Sequence, residues 1–159
     1  MSAERELPTN LDIREVLEGL LGRDVVPSPG KGANGDDAAG TVAVYSSGPT
    51  PAGLLAMDLA TSAILGAAIG LVPRGGAEAA MEDGELSPLL AENLAELLNV
   101  MAPLVPVDDG HHGRLHEVYG SGTACPPDVA DALRRPTGRL DLTLEVAGYG
   151  SGQLSLLLV

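Results

Sequence analysis

Hydrophobic and polar positions separate most sharply along Ser87–Met101, SPLLAENLAELLNVM. At 100° per residue, Leu86, Leu90, Leu94, Leu97, Leu98 and Met101 gather on one side; Glu92, Glu96 and Asn99, spaced i, i+4, i+7, gather on the other. Ser87 can cap the first turn, and Pro88 suits the first helical position, where a missing N–H costs nothing. Pro103 disfavours helical geometry at Ala102, so the pattern predicts a helix that stops there. A second stretch, Leu59–Leu71, is apolar almost all round and predicts a helix buried on more than one side, with Asp58 as its N-cap. Gly66 and Gly70 lower its helix propensity but permit a neighbour to approach closely. Pro73, Gly75 and Gly76 end this helix, and the acidic run EAAMEDGE reads as a linker.

Elsewhere the period changes. Leu11–Leu21 has an apolar side (Leu11, Ile13, Val16, Leu17, Leu20, Leu21) and predicts a helix capped by Asn10 and closed by Gly22. Arg23–Val26 is a short strand stopped by Pro27 and Pro29. SPGKGANGDDAAG (28–40) reads as a mobile loop. Thr41–Tyr45 and Gly53–Met57, joined by SSGPTPA, read as a hairpin, and Arg114–Tyr119 as a strand. Pro127–Leu133 forms one or two helical turns. Arg139–Ala147 alternates Leu140, Leu142, Leu144 and Val146 against Asp141, Thr143 and Glu145, a half-buried strand; GYGSG turns it into a final strand, Gln153–Val159. The predicted fold is α+β: a mainly antiparallel sheet with two long consecutive helices packed on one face. Residues 1–9 form a flexible N-terminus, and 10–159 a single domain.

Composition narrows the partners. The 159 residues carry 9 basic and 22 acidic side chains, a net charge of −13. Nucleic acid and anionic membrane both demand a basic footprint, so neither is an expected partner. The most apolar stretch falls short of the ~20 residues that a membrane span needs. Cys125 is the single cysteine, which fits a reducing cytoplasm. With no Phe or Trp and three Tyr, the core must be aliphatic.

The order of elements, the hairpin and apolar helix GTVAVYSSGPTPAGLLAMDLATSAILGAAIG, and Glu96-Leu97-Leu98-Asn99 within ENLAELLNVM together resemble the CheC/CheX/FliY family of chemotaxis phosphatases, closest to its single-site CheX-like members. That family carries Asp or Ser, three residues, Glu, two residues, Asn on the corresponding helix. Glu92 stands here at the Asp/Ser position. The resemblance implies hydrolysis of an aspartyl-phosphate on a response-regulator partner. It implies that Asn99 holds the attacking water, that Glu96 pairs with the partner's Lys, and that Glu92 belongs to the partner-binding surface. It implies no cofactor of the chain's own, the Mg²⁺ being the partner's. A carboxamide suits the role because it both accepts and donates hydrogen bonds, so it orients water without deprotonating it. From Gly75 to Gly113 there is no Lys or Arg among eight acidic residues, a face suited to a Lys-bearing surface. The alternative on the same fold is a non-catalytic interaction module similar to the FliM middle domain. The family also implies a homodimer through an edge strand, and the apolar end of Gln153–Val159 is the candidate.

Other candidates are weaker. Asp108, Asp109, His111, His112 and His116 lack metal-site spacing, so no metal site is expected. SPGKGANGDD has the glycines of a phosphate loop but neither the GK[ST] ending nor a helix start after it. Cys125 has no base nearby in sequence and reads as an incidental thiol.

Overall fold

The structure, a computed structural model, describes residues 5–34, 39–107 and 113–159. Six strands form one sheet: β1 (Val25–Pro29), β2 (Thr41–Ser47), β3 (Thr50–Met57), β4 (Arg114–Tyr119), β5 (Arg139–Val146) and β6 (Gly150–Leu158). Their order is β1-β5-β6-β3-β2-β4, and each pair is antiparallel. The helices are α1 (Asn10–Leu21), α2 (Leu59–Ile69), α3 (Arg74–Asp83), α4 (Pro88–Val100) and α5 (Pro127–Leu133). Among the described residues, no helix is long and apolar enough to cross a membrane. The α+β architecture, with α2 and α4 packed together on one sheet face, is as the pattern predicts.

That face holds the main core. Alternation sends Leu142, Leu144 and Val146 of β5, Leu154 and Leu156 of β6, and Ala43 and Tyr45 of β2 towards Ile13 and Leu17 of α1, Ile64 and Leu65 of α2, and the leucines of α4. α2 is buried from Thr61 through Ala68, which is what its all-round apolar sequence requires. Its two buried hydroxyls are satisfied within the protein, Ser62 Oγ donating to Thr41 Oγ1 of β2 at 2.9 Å and Thr61 Oγ1 to the Gln153 carbonyl at 3.1 Å.

Several boundaries differ from the pattern. The acidic linker is a helix: α3 presents Ala77 and Ala80 to the core, one turn apart, and docks against α2. Burial of that narrow alanine stripe outweighs the poor propensity of Gly75 and Gly76. α1 is capped by Thr9, not Asn10, through a reciprocal box in which Thr9 Oγ1 accepts from the Asp12 N–H and the Asp12 carboxylate accepts from the Thr9 N–H. β1 runs on through both prolines. Val26, Ser28 and Gly30 turn their backbones to β5, so Pro27 and Pro29 face the free edge, where no donor is needed.

The dimer edge is corrected. β6 pairs with β5 on one side and β3 on the other, so Gln153–Val159 is interior and offers no edge. Its apolar run, broken only by Ser155, reflects an interior position with layers on both faces of the sheet. At the sheet's β1 end, the free edge is already closed. The Val25 N–H donates to Glu18 Oε2 at 3.0 Å, and the next two outward positions are the prolines.

The opposite face carries a second layer. Val42 and Val44 of β2, Leu54 and Ala56 of β3 and Leu157 of β6 pack beneath Ala132 and Leu133 of α5. Beside them, residues 30–34 cross the polar side chains of β5 and β6, with the Gly32 N–H on Gln153 Oε1 (3.1 Å) and the Ala33 N–H on Ser155 Oγ (2.8 Å). The glycines are there for contact: a Cβ on Gly30 would strike Thr143 Oγ1, and one on Gly32 would strike Ser155 Oγ. Of the N-terminal lead, Arg5 donates to the Ala52 and Val159 carbonyls at 2.9 and 2.6 Å.

Candidate functional site

α4 begins where Ser87 Oγ accepts from the Leu90 N–H, with Pro88 at the first position. Leu90, Leu94, Leu97, Leu98 and Met101 are buried and Leu86 is half-buried, while Glu92, Glu96 and Asn99 are all exposed. The three polar residues share the outward face.

The helix is fixed on its inner side by unusually close contacts. The Gly66 position of α2 lies against the Leu90 carbonyl, where an added Cβ would come within 2.7 Å of the oxygen. Asn93, half-buried one residue from Glu92, donates from Nδ2 to the Gly66 carbonyl at 3.0 Å and lies over Gly70. At the C-terminal end, the buried Tyr45 hydroxyl donates to the Leu98 carbonyl at 2.6 Å, one residue before Asn99. Burial pushes the Tyr45 phenol up, so it remains a neutral donor across the working pH range. The backbone carrying Glu96 and Asn99 is thus held from α2 and from β2. A rigid element with exposed polar side chains is what a positioning site requires.

The outward face is not wholly polar. Leu89 is 56% exposed and Val100 47%, and eleven residues apart they lie almost in line along the helix with Glu96 between them. This pair was readable in the sequence: both are apolar residues outside the core stripe. Asn93 was less so, since nothing local distinguishes a carboxamide that bonds a neighbouring helix from one that meets water.

His116 is on β4, while Asp108, Asp109, His111 and His112 lie outside the described residues. Burial raises the Cys125 thiol above its ordinary value, which lowers its reactivity at neutral pH.

No protein-family model matches the chain, and no curated protein does. Solved structures do. The middle domain of FliM from Vibrio alginolyticus matches with a TM-score of 0.56 at 15% identity, over 91% of this chain and 85% of that one. The fold is that of FliM and FliY. FliY from Thermotoga maritima matches with a TM-score of 0.55 at 17% identity, over 91% of this chain and 80% of that one. A chain of the FliM–SpeE complex from H. pylori matches with a TM-score of 0.58 at 10% identity, over 94% and 80%. The FliM/FliY-like fold therefore extends across nearly the whole chain.

Proposed function

We propose that the exposed face of α4 docks on a phosphorylated response regulator and hastens loss of its aspartyl-phosphate. The supporting observation is the exposed pair Glu96 and Asn99 on one face of a helix whose backbone is held by Asn93 and Tyr45. Asn99 carries both a donor and an acceptor, so its amide orients a water in line with phosphorus. Glu96 pairs with a cation on the partner, and Glu92 extends the acidic contact. Little else is needed, because an acyl phosphate is already activated and the partner carries its own Mg²⁺ and Lys. The setting is cytoplasmic.

The test follows phosphate loss from a phosphorylated, co-encoded response regulator with and without this protein. Acceleration is expected with wild type, and Asn99→Ala should lose about tenfold or more of it with folding intact, since the side chain is exposed. No acceleration of any regulator, or undiminished acceleration by Asn99→Ala, removes the enzymatic reading.

A second reading rests on Leu89 and Val100. Exposed apolar residues flanking a charged stripe are what an adaptor surface needs, with or without chemistry. Regulator binding that depends on Leu89 and Val100, with unchanged phosphate lifetime, selects the adaptor.

A further inference from the structure

The face of the sheet opposite α4 carries a cleft of about 800 Å³ between α5 and the 31–34 segment, floored by β5 and β6. Nothing from α4 lines it. Four of the chain's nine basic residues do: Lys31, Arg134, Arg135 and Arg139. Two carboxylates, Asp58 and Asp141, oppose them. In a chain of net charge −13, this is a concentrated reversal of sign.

The charges differ in role. Arg139 is structural: Nε donates to Asp141, Nη1 to the Leu133 and Arg135 carbonyls, and Nη2 to the Ala33 carbonyl and Ser155 Oγ. Both carboxylates are likewise committed, Asp58 to the Thr61 and Gln153 N–H groups and Asp141 to Arg139 and Ser155 Oγ. Arg139 therefore builds the floor and ties α5 to the loop. Lys31 and Arg135, both exposed, stand at the rim from opposite walls.

We infer that this cleft binds a compact, multiply charged oxyanion, bearing phosphate or carboxylate groups, between Lys31 and Arg135. The volume falls within the range of small-molecule sites, about 300–1,000 Å³. Guanidinium and ammonium groups both favour oxyanions, and Arg adds a two-pronged geometry. Among the described residues no aromatic side chain lines the cleft, so a nucleobase finds no stacking partner there. The ligand is recognised by its charge.

Titration calorimetry of the whole chain with tripolyphosphate and, separately, with citrate tests this. Saturable binding of at least one probe is expected, and which one binds tighter decides between phosphate and carboxylate chemistry. Lys31→Ala and Arg135→Ala should each weaken it about tenfold, the usual effect of one lost charged hydrogen bond. Arg74→Ala, a cation on α3 paired with Glu78 at 2.8 Å, should leave it unchanged. ATP should bind no tighter than tripolyphosphate. Absence of saturable binding by both probes overturns the inference, as does equal weakening by Arg74→Ala, which would show a response to overall charge alone.

Discussion

At the scale of single residues, side chains that look alike in sequence take different work from their surroundings. Asn93 and Asn99 are six positions apart on one helix, yet Asn93 is bonded to the Gly66 carbonyl and Asn99 is exposed. Glu18 and Glu96 are both helical carboxylates, yet Glu18 closes the end of a sheet. The Val25 N–H beside it, and then Arg14 at 3.2 Å, draw its pKa below the ordinary carboxylate value. Because the folded value is the lower one, this stabilisation is complete above the unfolded pKa of ~4.3 and fades as pH falls through the folded value. Glu18→Gln should therefore lower the urea midpoint at pH 7, and the gap from wild type should shrink as pH drops below about 4. A gap that persists unchanged at pH 2 would assign the effect to the neutral amide's packing. The polar part of the outward face of α4 was legible from spacing alone, because Glu92, Glu96 and Asn99 lie opposite the buried leucines. The support beneath it was not, because Tyr45 and Leu98 are 53 positions apart.

Elements show how propensity yields to packing. α2 is read correctly from its apolar sequence because burial on all sides leaves that signature. α3 is not, because two buried alanines among acidic residues resemble a solvated linker. Gly66 within α2 and Gly70 at its C-cap were interpretable from sequence as a point of close approach, and the structure supplies the neighbour: the Leu90 backbone at Gly66 and Asn93 at Gly70. Gly66→Ala gains intrinsic helix propensity, worth up to about 1 kcal/mol. It also places a methyl 2.7 Å from a backbone carbonyl that cannot swing aside. Separation of α2 from α4 should dominate, for a net loss of about 1–3 kcal/mol in denaturant unfolding. Wild-type stability in that variant would show that the contact is loose. The same separation shifts Asn99, so under the proposed function any acceleration of regulator dephosphorylation should fall with it.

For the whole molecule, the sheet is a wall between two unequal layers. α1–α4 cover one face, and α5 with the 30–34 segment covers the other. Arg139 joins the parts of the smaller layer, with five partners drawn from β5, β6, α5 and the loop. Its side chain is only 14% exposed, so Arg139→Ala leaves Asp141 without its counter-ion and several carbonyls without their donor. A loss of about 2–4 kcal/mol is expected. Hydrogen exchange should rise first in α5 and residues 30–34, while α2 and α4 stay protected. Uniform loss of protection would instead mean that the two layers unfold together.

Short-range periodicity and local chemistry encode the α+β class, both hairpins, the caps of α2 and α4, and the outward set Glu92, Glu96 and Asn99. The sequence also carried an unused sign of the second layer. Thr41–Tyr45 and Gly53–Met57 are continuous apolar runs, which require cover on both faces, whereas β5 alternates. Tertiary structure alone decided strand order. A terminal apolar strand reads the same at an edge or in the middle, and pairing with β3, about a hundred residues away, put β6 inside. It alone also gathered Lys31, Arg135 and Arg139 into one cleft and bound Tyr45 to the helix before Asn99. Those contacts join residues far apart in the chain, so no local pattern records them.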